Sequence, residues 1–181
     1  MRVGVADHLG WAVAVTVVGE GEVVDRRRIE LVEAGVTAAP IHYESHRLDV
    51  AATVALVAEV RASVGRATAA SLDELAAALP APIVSMSLRA IPPDFPDDIG
   101  VQRRSPYEAR ADAVMYRQVL VELAHFRGWR IHFYRAKDVV GQAVGLLGER
   151  ADDVLHGPRA TLGPPWTKDH RTALAATIVG G

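Results

Sequence analysis

Cysteine is absent from the 181 residues. That excludes disulfides, thiolate metal sites and cysteine nucleophiles, and it fits a reducing cytoplasm, the expected location. No apolar run approaches the roughly 20 residues needed to span a bilayer, so no membrane association is expected. A charged n-region followed by an unbroken apolar stretch is also missing, so no signal peptide is expected. Charge of one sign is not in excess either. The formal net charge is -2, and the overall basicity that marks many nucleic-acid-binding domains is lacking. Aromatic residues make up only 6% of the chain, which argues against a platform for stacking bases. Repeats, low-complexity tracts and linkers are not seen. What remains is a chain that is 50% hydrophobic, of a length that fits one domain over residues 1–181 with a full core.

Val3 to Ala6 is a short apolar run that reads as a buried central strand, followed by the turn Asp7-His8-Leu9-Gly10. Trp11 to Val18 and Glu22 to Val32 read as two further strands joined by the Gly19-Glu20-Gly21 turn. The polar stretch Asp25-Arg26-Arg27-Arg28 in the last of these implies an edge or a solvated face. After a loop at 33–44, the apolar spacing predicts a helix over about 47–64, ended by Gly65. Ser71-Leu72-Asp73-Glu74 has the pattern of a capping box and predicts a separate short helix that stops before Pro80. Pro82 to Leu88 is the fourth strand. A proline-rich loop follows at 90–104, and Ser105-Pro106-Tyr107-Glu108 predicts the start of a helix of about 22 residues closed by Gly128. Arg130 to Arg135 is the fifth strand, and Asp138 caps a helix ending near Gly148. A Gly/Pro-rich stretch at 157–165 precedes the last helix, 167–179. Three antiparallel strands and then alternating helices and strands imply an α/β fold: a mixed five-stranded sheet with helices on both faces.

Two carboxylates stand at the tips of elements far apart in sequence: Asp7 after the first strand and Asp169 at the start of the last helix. This order and three local patterns resemble the ribonuclease H-like fold and, within it, the RuvC-type Holliday-junction resolvases. The first pattern is the strand Val3–Asp7 with Gly10-Trp11-Ala12-Val13 after it. The second is Lys137-Asp138-Val139-Val140-Gly141-Gln142-Ala143-Val144 after the fifth strand. The third is Pro164-Pro165 before Asp169-His170-Arg171-Thr172-Ala173-Leu174-Ala175. The resemblance implies a metal-dependent phosphodiester hydrolase using Mg2+ or Mn2+, with Asp7 and Asp169 catalytic and Asp7, Asp169 and His170 as ligands. It also implies a nucleic-acid partner and a homodimer, for which the Val/Ala-rich helix at 47–64 offers a surface. The chain departs from the family at two acids. Serine stands where the fourth strand, Ile83-Val84-Ser85-Met86-Ser87-Leu88, should carry glutamate, and Thr172 replaces the second acid of the last helix.

Two-metal hydrolysis uses ions roughly 3.5–4 Å apart that activate water and steady the leaving oxygen, and Mg2+ demands oxygen ligands. Two carboxylates hold at best one such ion. Asp169 equally suits plain helix capping, Asp7 a turn role, and His8 and His170 a surface role. His42, Glu44 and His46 alternate, so they share a face if that segment is extended. Asp94, Asp97 and Asp98 lie in the proline-rich loop as spare carboxylates. Arg103, Arg104, Arg110 and Arg117 form a basic stripe around the long helix, and Arg127, Arg130, Arg135 and Lys137 flank the fifth strand. The competing readings are a nuclease with an incomplete acid set and a catalytically silent member of the fold that binds nucleic acid or a protein. The sugar-kinase and actin-like ATPase branch is disfavoured, because Asp7-His8-Leu9-Gly10 is too bare for a phosphate loop.

Overall fold

The computed structural model describes residues 1–181. Strands β1 (Arg2–Asp7), β2 (Trp11–Val18) and β3 (Glu22–Glu30) form an antiparallel meander. β4 (Ser85–Arg89) joins the other side of β1 in parallel, and β5 (Arg130–Tyr134) continues parallel to β4. The five-stranded order is β3-β2-β1-β4-β5, with β1 in the middle and β3 an edge, as the sequence implies.

Side-chain alternation along the strands splits the apolar residues between two cores. Val3, Val5, Ala12, Ala14 and Met86 face a layer made by α1 (Val50–Ala78) and α3 (Glu108–Phe126). Val13, Val15, Val17 and Ala6 face the opposite layer, made by α4 (Val139–Leu147) and α7 (Lys168–Val179). Gly4 lets α7 lie directly on β1. A Cβ there would stand 1.9 Å from the Ala173 carbonyl oxygen, a backbone atom that cannot yield.

The helices differ from expectation in four places. Residues 50–78 form one helix of 29 residues rather than two. Gly65 passes through its middle, and the Ser71 hydroxyl donates to the Glu30 carbonyl instead of capping a new helix. The Asp49 carboxylate is the real N-cap, accepting from the Ala52 N–H at 2.7 Å. The long α3 begins at Glu108 rather than Ser105, because the Arg104 carbonyl accepts the Tyr107 and Glu108 N–H groups and leaves the Ser105 hydroxyl no capping task. The proline-rich loop holds the short helix α2 (Ile99–Gln102), and the 157–165 stretch is partly helical: α5 (Ala151–His156) is followed by α6 (Pro158–Leu162). No helix is long and apolar enough to cross a membrane.

Candidate functional site

Asp7 ends β1 and is 3% exposed. A buried carboxylate needs a cation or several donors, and two arginines from other elements supply it. Arg117 of α3, 110 residues away in sequence, donates Nε–H to Asp7 Oδ2 at 2.8 Å with its own side chain only 10% exposed. Arg89, the last residue of β4, brings its Nε to 3.7 Å from Asp7 Oδ1. Tyr134, at the end of β5, donates its hydroxyl to the Val5 carbonyl at 2.7 Å. Burial pushes its phenol well above the usual range, and the Asp7 charge adds to the effect. The carboxyl ends of β1, β4 and β5 therefore carry Asp7, Arg89 and Tyr134, and α3 adds the Arg117 guanidinium.

Asp169 lies in the first turn of α7 and faces another partner. Its Oδ2 is 3.1 Å from His8 Nε2. The turn between β1 and β2 aims His8 there. Gly10 takes a φ of +83°, which closes the turn at low steric cost, and the His8 N–H donates to the Trp11 carbonyl at 2.9 Å. The His8 ring stacks on Trp11 with centroids 4.1 Å apart and planes 11° from parallel. The Arg28 guanidinium also lies over Trp11, 4.3 Å from the ring centre.

His170 completes a capping box with Thr167. The Thr167 N–H donates to its Nδ1 at 3.2 Å, and the Thr167 hydroxyl approaches the same nitrogen at 2.8 Å. A backbone N–H can only donate, so Nδ1 carries no proton, and in the neutral ring the proton sits on Nε2. Burial pushes the His170 pKa below the ordinary histidine value, Arg26 pushes it the same way, and Asp169 opposes them.

These positions decide how far the residues fit a divalent metal. The structure brings Asp169 and His170 to one wall of a cleft, while Asp7 is spent on Arg117 and Arg89. His170 accepts through Nδ1 and holds its proton on Nε2, so neither nitrogen offers a free lone pair while the cap stands. Ser85, Ser87 and Thr172, where the resemblance implies acids, are buried and contribute no carboxylate. Nowhere do three His, Asp or Glu side chains converge closely enough to hold a metal ion. The donor set does not fit the carboxylate site that Mg2+ or Mn2+ needs.

The other sequence candidates scatter. His42, Tyr43 and Glu44 lie in a helical turn over Pro40–Glu44 rather than an extended segment, so the alternating face does not form. The buried Asp112 carboxylate of α3 fixes that turn, accepting the Ile41 and His42 N–H groups at 3.0 and 2.9 Å. Burial raises its pKa against the pull of those two bonds. His46 Nε2 accepts from the neighbouring Arg47. Asp98 caps α2 through the Val101 N–H, and no carboxylate of the proline-rich loop joins Asp7 in a metal-binding cluster. The basic stripe is also dispersed. Arg103 donates to the Ser45 and Leu48 carbonyls, Arg117 is buried on Asp7, and of the four only Arg104 and Arg110 are exposed.

A cleft of about 420 Å³ lies beside the acids. Trp11, Val13, Arg26, Arg28, Pro165 and His170 line it, with Asp169 on the wall of α7. The register pairs Arg28 with Val13 and Arg26 with Val15, which sets both arginines on the α7 side of the sheet. The Arg26-x-Arg28 spacing on a strand was the available signal for this side of the site. Comparison of the chain with family models, curated proteins and solved structures returned no match.

Proposed function

We propose that the chain is a ribonuclease H-like protein, akin to the RuvC-type resolvases, that does not hydrolyse phosphodiesters and works by binding nucleic acid. The observation that carries this reading is the state of Asp7. The carboxylate that a hydrolase of this kind would turn to a metal is buried between two guanidinium groups. A dication brought to that point would meet two fixed positive charges in a poorly screened setting, at a cost of several kcal/mol. The strand order and the parallel β1–β4–β5 set support the fold assignment. The arginine-lined cleft beside Asp169 supports an anionic partner.

The test is calorimetric titration of Mg2+ and Mn2+ into the wild type, Asp7→Asn and Asp169→Asn, with cleavage assays on branched and single-stranded DNA. No binding at millimolar metal and no cleavage are expected. Metal binding by the wild type that disappears in both variants would restore the nuclease reading.

A further inference from the structure

We infer that the cleft between β3 and the start of α7 binds a nucleotide, with its phosphate on Arg26, Arg28 and His170. Three separate donor side chains line it. Arg26 meets only neutral groups, the main-chain carbonyls of Leu162, Pro164 and Pro165, so no carboxylate offsets its charge. Arg28 is held over the Trp11 ring, and its carboxylate partner Glu30, at 2.7 Å, is itself 58% exposed. An exposed pair of this kind is worth little and yields readily to a phosphate. His170 adds Nε2–H, because its cap fixes the proton there. None of its hydrogen bonds uses that nitrogen.

The remaining walls favour a nucleotide over a bare anion. Pro165, Val13 and the edge of the Trp11 ring, whose faces are taken by His8 and Arg28, give the cleft an apolar part beside its charges, and the volume lies in the range of small-ligand sites, roughly 300–1,000 Å³. Asp169 repels a phosphate placed directly against it, yet it accepts hydrogen bonds from sugar hydroxyls. The two arginines thereby draw the phosphate towards the β3 side, where His170 can reach it from the α7 wall, and the sugar hydroxyls are left to Asp169. The inference deepens the nucleic-acid reading above, since a nucleotide is the unit of a strand.

The test titrates the full chain with dTMP, an eight-residue oligothymidylate and inorganic phosphate. Tryptophan fluorescence reads the first and last, and anisotropy of a labelled strand reads the second. Arg28→Gln is the main variant, because Arg28 is exposed and its loss leaves the core intact, as circular dichroism will verify. Binding of dTMP that weakens about tenfold or more in Arg28→Gln is expected. If dTMP binds in this way but the oligonucleotide does not, the cleft assignment stands and the nucleic-acid reading falls. If the oligonucleotide binds equally to wild type and Arg28→Gln, the cleft assignment falls and the broader reading survives. Binding of inorganic phosphate but not dTMP would overturn the nucleotide assignment, and no binding of any probe would overturn both.

Discussion

At the scale of single residues, the chemistry of Asp7 turns on its counter-ions. Breaking a buried ion pair by removing one partner leaves a stranded charge and costs about 3–5 kcal/mol, whereas replacing both partners by apolar groups is often neutral. Arg117→Met is therefore expected to destabilise the chain by up to about that amount, since Arg89 stays 3.7 Å from Asp7, and Asp7→Leu/Arg117→Met to recover much of the loss. A urea-unfolding double-mutant cycle measures the coupling, and simple additivity of the two changes would show that the pair is not an energetic unit. His170 gives a pH signature. Its pKa is lower in the folded chain than in the unfolded one, so the unfolded state takes up protons first. The contribution of the neutral ring is complete above about pH 6.5 and drains away as pH falls below that value toward the lowered folded pKa. His170→Gln keeps a side chain that suits the capping box but removes the titration. Its melting temperature should fall less between pH 7.5 and 5 than that of the wild type, and parallel slopes would assign the pH dependence to other groups. Asp7 and Asp169 were legible as element-tip acids. Arg117 was not legible as a partner, because a buried arginine on a helix shares its periodicity with a solvated one and 110 intervening residues carry no trace of the contact.

Among elements, the three N-terminal strands declare themselves by β-branched runs and short glycine turns, and the structure places them within two residues of the expected limits. Helix ends were harder to read. Capping patterns at Ser71 and Ser105 are local, whereas the hydroxyl of Ser71 is recruited by β3 and the donors near Ser105 are met by the preceding turn. Gly65 looked like a stop because glycine is a poor helix former, yet the Val60, Val64, Thr68 and Leu72 face stays buried straight through it. Tertiary burial outweighs a local penalty of about 1 kcal/mol. A Cβ at Gly65 would meet no atom within 4 Å. Gly65→Ala should then stabilise the chain by about 0.5–1 kcal/mol, seen as a higher urea midpoint at unchanged slope. Gly4→Ala is the opposite case, since its Cβ would collide with α7. A loss of about 3 kcal/mol or more is expected, and a Gly4→Ala chain as stable as the wild type would mean that α7 does not rest on β1 as described.

For the whole molecule, the question is whether two cores on opposite faces of one sheet behave as one cooperative unit. β1 supplies Val3 and Val5 to one core and Ala6 to the other. The ion pair from Asp7 to Arg117 ties the strand that α7 rests on to α3 of the opposite layer. Damage in either layer should thus be felt by both. The chain carries its own reporters, because Trp129 packs in the α1–α3 layer and Trp166 in the α4–α7 layer. Leu72 is fully buried in the first layer, and Leu72→Ala should cost about 2–5 kcal/mol. In chains that retain only Trp129 or only Trp166, the other tryptophans being replaced by phenylalanine, Leu72→Ala is expected to shift both fluorescence transitions by the same denaturant increment. Coincident curves are the mark of two-state unfolding. A Trp166 transition that stays in place while the Trp129 transition moves would divide the molecule into a separable α1–α3 layer and a residual sheet with α7. The cleft, built on β3 and the start of α7 rather than on α1 or α3, would then belong to the more autonomous half.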